Sequence, residues 1–261
     1  MLIFGLGYTA SRLADGLRAE GWHVTGIRRA ADAGALAFDD EPAIRDAIAS
    51  ATHILSSVPP EDDADPVLTR YGRDVAAAPA RWIGYLSSTG VYGDAAGAWV
   101  DEGSPVGAGR RAARARADLA WGALRADMYR FRLPGIYGPG RSALERVRER
   151  RAHRIDLPDQ VFSRVHVDDI VSGIIASFDG PAGVYNLADD LPCAQNRVIE
   201  AACDMLGLSH PPLLTLEQAG LSPMASAFYA ENRRVANGRA KRLLGWRLLY
   251  PTFREGLSAC R

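Results

Sequence analysis

The chain has 261 residues, 48% of them hydrophobic and 24% charged, which is enough apolar content to bury a sizeable core and argues against disorder. Thirty-one basic side chains balance thirty-one acidic ones. No overall field therefore draws the molecule to nucleic acid or an anionic membrane, and a small-molecule substrate is the expected partner. Cys193, Cys203 and Cys260 are too few and too scattered for a disulfide framework or a zinc site. No apolar run reaches the roughly eighteen residues of a membrane span and no export signal is seen, so a cytoplasmic location without a metal is expected.

Residues 2–4 form a short apolar run ending at Gly5, and residues 11–20 follow with Leu13, Ala14 and Leu17 at helical spacing. Strand, glycine turn and helix come in that order. Residues 23–27 predict a second strand, and an Ala/Gly-rich stretch then leads to a short apolar patch at 35–38. Pro42 suits the first turn of a helix running to about Ala49. Residues 52–58 predict a buried strand stopped by Pro59 and Pro60. Residues 81–87 predict another, stopped by Gly90 and the Tyr92–Gly93 turn.

Residues 108–125 predict a long arginine-rich helix, and residues 129–133 a strand ended by Pro134 and Gly135. Strands alternating with helices of this length imply a parallel sheet covered on both faces and wound with right-handed crossovers. Beyond Pro134 the pattern loosens: a charged, solvated helix at 142–151, an apolar helix at 168–178, a strand at 183–187, then short helices and loops around Pro211, Pro212 and Pro223. No internal repeat or low-complexity tract occurs.

Gly5-Leu6-Gly7-Tyr8-Thr9-Ala10 fits the G-x-G-x-x-G/A dinucleotide fingerprint, with a strand before it and a helix after it. The first glycine allows the tight turn, the second lets backbone approach a pyrophosphate, and Ala10 permits close packing of helix on strand. Amides of the first helical turn face the phosphates. The expected fold is an α/β, Rossmann-type doubly wound parallel sheet: one domain over 1–261, with residues from about 135 onward forming a small interleaved C-terminal substrate lobe. The end of the second strand reads Gly26-Ile27-Arg28-Arg29 and offers no acid for a bare ribose, Asp32 being the nearest. Arg28 and Arg29 suit a 2′-phosphate, which favours NADP(H) over NAD(H). Ser56, Ser57 and Val58, ending the following strand, are assigned to the same site.

Four segments together resemble the short-chain dehydrogenase/reductase superfamily, in its extended, epimerase/dehydratase-like branch. They are the glycine turn, residues 85–93 (YLSSTGVYG), residues 132–140 (RLPGIYGPG) and residues 165–169 (VHVDD). The resemblance implies that Ser88 hydrogen-bonds the reacting oxygen, that Tyr92 and Gly93 shape the turn beside it, and that Pro134 and Gly135 lie by the nicotinamide. It also implies a Y-x-x-x-K pair on the helix after the serine strand. Counted back from Asp118, the lysine place holds Arg114 and the tyrosine place Arg110. The two stand one turn apart on one face, so the geometry is kept while the chemistry changes. Arginine is a poor proton donor near neutrality. Arg114 suits ribose hydroxyls, and Arg110 suits a developing oxyanion or a substrate anion.

Ser88, Arg110, Arg114 and Tyr92 are therefore the expected catalytic group. Tyr92, Tyr137 and His166 are alternative proton donors, with His166 read as starting a packing helix rather than as a catalyst. The glycine turn departs from the branch's usual G-x-x-G-x-x-G, and Phe162 stands where an arginine commonly meets a nucleotide-sugar diphosphate. Three functions follow in order: an NADP(H)-dependent oxidoreductase or epimerase-like enzyme, a non-catalytic NADP(H) sensor, and a nucleotide-sugar epimerase or dehydratase. The resemblance implies homodimers through helices near 68–77 and 108–125, but the second helix is heavily cationic, and the oligomeric state stays open.

Overall fold

The computed structural model describes residues 1–31, 34–62, 64–107 and 112–261, apart from the side chains at 224 and 225. The strands in chain order are β1 (Leu2–Phe4), β2 (Thr25–Arg28), β3 (Ala35–Ala37), β4 (His53–Ser56), β5 (Trp82–Ser88), β6 (Trp99–Val100) and β7 (Met128–Leu133), followed by β8 (Gly135–Tyr137), β9 (Arg154–Ile155), β10 (Arg164–His166), β11 (Gly183–Asn186), β12 (Leu213–Leu214) and β13 (Arg234–Val235). The helices are α1 (Tyr8–Ala19), α2 (Glu41–Ser50), α3 (Pro66–Ala77), α4 (Ala112–Leu124) and α5 (Ala143–Arg148), then α6 (Val167–Ala176), α7 (Gln195–Leu206), α8 (Pro223–Ser226), α9 (Gly238–Leu244) and α10 (Phe253–Ser258).

Among the described residues seven strands form one sheet in the order β11-β7-β5-β4-β1-β2-β3. Every neighbouring pair is parallel. The central strands β1 and β4 are buried without a break, as strands covered on both faces must be. The chain winds outward from β1 in both directions, so the order reverses between β1 and β4. The crevice beyond their carboxyl ends is where a doubly wound sheet binds ligands.

One face is covered by α1 and α6, which bring Leu13, Leu17, Ile170 and Ile174 against Phe131 and Tyr185. The other is covered by α2, α3 and α4 through Ile44, Ile48, Val67, Tyr71, Val75 and Trp121. Local chemistry sets the helix starts. Asp40 accepts from the Ala43 amide at 3.3 Å to cap α2, and Asp65 accepts from the Leu68 amide at 3.0 Å to cap α3, each with proline in the first turn.

Residues beyond 135 return β11 to the sheet edge and build a second core from α5, α7 and α10, centred on Leu144, Val147, Ile199, Phe253 and Leu257. Three expectations change here. Residues 195–206, expected within a stretch of short helices and loops, form one continuous twelve-residue helix ended by Gly207 at φ +66°. The charged segment at 142–151 is helical only to Arg148, and it buries Ala143, Leu144 and Val147 rather than lying wholly in solvent. The patch at 35–38 is the edge strand β3, and Gly135 begins strand β8 instead of a loop. No helix among the described residues is long and apolar enough to cross a membrane.

Candidate dinucleotide site and reaction centre

Gly5 ends β1 at φ +83°, a conformation that only glycine adopts freely. Its amide donates to the Ile27 carbonyl at 3.0 Å, and its carbonyl accepts from Ser57 Oγ at 2.5 Å and from the Gly7 amide at 3.0 Å. A Cβ on Gly5 would meet Val58 Cγ2 at 3.0 Å and Ser57 Oγ at 3.1 Å. Ser57 and Val58 thus wall the turn. Ser56 stays inside the strand, its hydroxyl buried and without a hydrogen-bond partner among the described residues.

Gly7 is the exposed N-cap of α1, and a Cβ there would meet nothing within 4 Å. No side chain caps this end and no acid sits in the first turn, so the amides of Tyr8 and Thr9 have no intrahelical partner. Thr9 and Ala10 are buried, which lets the helix settle on the sheet. Open space over a glycine, beside uncapped amides at the switch point, fits a pyrophosphate.

Arg28 closes β2 and is exposed, as is Arg29 after it. Arg29 pairs with Glu61 at 2.5 Å, both side chains well in solvent, so the pair contributes little and can be exchanged. Tyr8, read from sequence only as part of the glycine turn, reaches across the site. Its hydroxyl donates to the Pro139 carbonyl at 3.0 Å, and the Arg141 guanidinium lies 5.7 Å from its ring centre.

Ser88 ends β5, half-buried, with Oγ accepting from the Gly90 amide at 3.1 Å. Among the described residues its own hydrogen has no acceptor. Tyr92, expected beside the reacting atoms, is 4% exposed. Its hydroxyl donates to Asn186 Oδ1 at 2.7 Å and accepts from Arg132 Nη1 at 3.0 Å. Burial pushes that phenol up, against the pull of Arg132.

Arg132 in turn is gripped by Asp118, which accepts from Arg132 Nη2 at 2.8 Å and Nε at 3.1 Å and from Arg130 Nη1 at 2.9 Å. Burial alone would raise the Asp118 carboxyl, but the two guanidinium groups hold it below its ordinary value. Arg110 lies outside the described residues. Arg114, half-buried on α4, stands near the Asp65 carboxylate and the Tyr85 phenol. On α4, then, the chain puts a cation near an acid that caps the neighbouring helix.

Pro134 and Gly135 follow β7, and the Gly135 amide donates to the Ser163 carbonyl at 3.3 Å, fixing the start of β8 on the C-terminal segment. Tyr137 packs into the C-terminal core. Its hydroxyl lies over Gly256 and reaches the Thr252 carbonyl at 3.5 Å. His166 is buried and caps α6, Nδ1 accepting from the Asp168 amide at 3.2 Å, with its ring against Tyr137 and Tyr250. Burial lowers its pKa. Asp168 pairs with Arg12, while Asp169 accepts from the Leu249 and Tyr250 amides at 2.6 and 3.2 Å. The Asp118–Arg132–Tyr92–Asn186 chain was not legible in the sequence, because its members come from α4, β7, the turn after β5 and β11. Among the described residues no group of His, Cys, Asp and Glu is placed to hold a metal ion.

No family model matches the chain. A 3-diazoavenalumate denitrifying reductase from a Streptomyces species is 32% identical over 115 residues, which are 41% of this chain and 37% of that protein. The match thus spans little more than a third of that relative. A solved, functionally unknown conserved protein from Silicibacter pomeroyi is 42% identical with a TM-score of 0.91, covering 99% of this chain and 96% of that one. MoeE5 in complex with UDP-glucuronic acid and NAD is 19% identical, TM-score 0.78, over 99% of this chain and 96% of the other. The human epimerase family protein solved with NADPH is 17% identical, TM-score 0.77, over 100% and 99%. The chain belongs to one family with the Silicibacter pomeroyi protein, and its fold is that of the NAD-dependent epimerase/dehydratase proteins, the extended branch of the short-chain dehydrogenase/reductase superfamily.

Proposed function

We propose that the chain is an NADP(H)-dependent oxidoreductase of the epimerase-like kind, acting on a small molecule. The observation that carries this is the uncapped end of α1, where open space lies over Gly7 at the point where strand order reverses. That structural neighbours were solved with NAD in several cases and with NADPH in another supports a nicotinamide cofactor, without fixing which form this chain takes. The preference for NADP(H) rests on Arg28 and Arg29, whose guanidinium groups suit a 2′-phosphate.

When bound, the cofactor supplies or takes up a hydride. Gly5, Gly7 and the amides of Tyr8 and Thr9 hold its pyrophosphate, Ser57 and Val58 wall the adenosine side, and Pro134 and Gly135 face the nicotinamide. Ser88 donates its hydroxyl hydrogen to the substrate oxygen and orients the reacting carbon, while Arg110 and Arg114 supply positive charge in place of the usual tyrosine and lysine. A proton, where the reaction needs one, comes from water.

NADPH consumption against a panel of carbonyl compounds tests this. Ser88→Ala is expected to lower kcat/KM about a hundredfold. Turnover indifferent to Ser88→Ala and Arg110→Ala would remove the assignment. A second reading, a sensor that binds NADP(H) without turnover, is favoured by the locked hydroxyl of Tyr92. NADPH and NADP+ binding with different affinities, and no turnover across the panel, would select it.

A further inference from the structure

Residues 138–140 form a loop after β8, and Arg141 follows it. That loop is built tightly. β8 runs beside β10 as far as Tyr137, opposite His166, so the loop leaves this strand pair where α6 begins. A Cβ on Gly138 would meet Tyr8 Oη at 2.5 Å and Val167 Cγ1 at 2.6 Å, so the first residues of α1 and α6 both press on the backbone there. The Tyr8 hydroxyl holds the next residue through the Pro139 carbonyl at 3.0 Å. Gly140 then takes the left-handed conformation, φ +74°, and the Arg141 amide donates back to the Gly138 carbonyl at 2.9 Å. Glu145 fixes the far side, accepting from the Gly140 and Ser142 amides at 3.2 and 2.7 Å.

The backbone of Arg141 is thus held on both sides, while its side chain is exposed and ends over the Tyr8 ring, the guanidinium 5.7 Å from the ring centre. Such a contact is weak in water and leaves the N–H donors of the guanidinium open. Among the described residues no acid lies within ion-pair distance of Arg141. Tyr8 is also the first residue of α1, so the ring beneath the cation and one of the uncapped amides at the glycine turn belong to a single residue. Arg12, one turn further on, is already paired with Asp168, and Arg28 and Arg29 close β2, where the 2′-phosphate is assigned. Amides at a helix start offer hydrogen bonds and partial charge, whereas a diphosphate is doubly ionised and calls for a full cation.

We propose that Arg141 is the cation that meets the dinucleotide's diphosphate, closing on it from the C-terminal segment, and that Tyr8 is the residue that positions it. A guanidinium fork matches two phosphate oxygens through parallel hydrogen bonds. The side chain turns from the ring to the phosphate while its backbone stays where Tyr8 and Glu145 hold it. The diphosphate is then gripped from two parts of the chain, by the amides of Tyr8 and Thr9 and by the guanidinium of Arg141. The inference rests on the dinucleotide-binding reading above and adds a residue to that same site.

The test is calorimetry with NADPH and with NADH, joined to displacement of NADPH by ADP-ribose, which keeps the diphosphate and lacks the nicotinamide. Arg141→Gln is expected to weaken all three ligands alike, by about tenfold, with the unfolding midpoint unchanged because the side chain is exposed. Arg141→Lys recovers part of the loss, since it keeps the charge without the fork. Tyr8→Leu weakens all three as well, yet adds less than about twofold when Arg141→Gln is already present, the coupling expected of a ring that acts through the cation. Nucleotide affinity untouched by Arg141→Gln overturns the proposal. So does a loss confined to NADPH, which puts Arg141 at the 2′-phosphate, or a loss that spares ADP-ribose, which puts it at the nicotinamide. Independent effects of the two substitutions overturn the role given to Tyr8. Heat from neither nucleotide with the unmodified protein removes the reading beneath and this inference with it, whereas equal binding to the unmodified protein and to Arg141→Gln removes this inference alone.

Discussion

The Tyr92 hydroxyl and Asn186 Oδ1 are 2.7 Å apart, and this hydrogen bond ties the turn after β5 to the end of β11 at the sheet's edge. Arg132 donates to the same phenol at 3.0 Å and lays its guanidinium 4.9 Å from the ring centre. A phenol held on both sides and buried is a fastening between strands, and its proton is not free to move to a substrate. Tyr92→Phe is expected to cost about 1–2 kcal/mol of stability, since two buried partners lose their hydrogen bond. Denaturant unfolding checks it. Unchanged stability would return Tyr92 to the list of proton donors.

Asp118 should matter more. It is wholly buried and holds both Arg130 and Arg132, so Asp118→Ala leaves two guanidinium groups without their carboxylate. Breaking a buried ion pair from one side costs about 3–5 kcal/mol. The expected result is a large drop in the unfolding midpoint; a loss below about 1 kcal/mol would show the network to be dispensable.

The legible part of this protein was whatever short-range sequence determines. Gly5 and Gly7 revealed the turn because positive φ and close approach demand glycine, and Pro42 announced a helix start. Buried strands such as β4 appeared as apolar runs between turn residues. The length and start of the helix at 195–206, within a stretch read as short helices and loops, were hidden because its N-cap is Ala194, with no side-chain hydrogen bond to mark the start. Likewise β8 was hidden by Pro134–Gly135, which reads as a break although Gly135 pairs with Arg164. The role of Tyr92 could not be read from spacing, since it depends on Arg132 and Asn186, some 40 and 94 positions away.

Buried acids give the stability a pH signature. Burial pushes Asp189 up to about 7, only partly opposed by Arg164, and its Oδ2 has no partner among the described residues. Unfolded, the same carboxyl titrates near the ordinary value of about 3.9. As pH rises from there toward 7, the unfolded chain gives up a proton that the folded chain still holds, so this group contributes a loss of stability with rising pH. Asp189→Asn keeps an oxygen for the Leu191 amide and removes the titration. The variant is expected to gain stability over the unmodified protein at about pH 8, by at most a few kcal/mol, with the gain fading toward about pH 4. A gain independent of pH would contradict it.

Glu61 competes for a cation assigned to the cofactor. Its pair with Arg29 must open if that guanidinium is to take a 2′-phosphate. Glu61→Gln should therefore tighten NADPH binding by a few-fold and leave NADH nearly unchanged, the pair being exposed and weak. Tryptophan quenching or calorimetry reads the difference. Tighter NADH binding with NADPH unchanged would place the adenosine end elsewhere.

The central claim is that the open end of α1 and the arginines ending β2 bind NADP(H). Calorimetric titration of the unmodified protein with NADPH and NADH tests it most directly: NADPH is expected to bind about tenfold or more tightly, and Arg28→Ala to narrow the gap. Heat from neither nucleotide would contradict the account at its root, and equal affinities would contradict the choice of NADP(H).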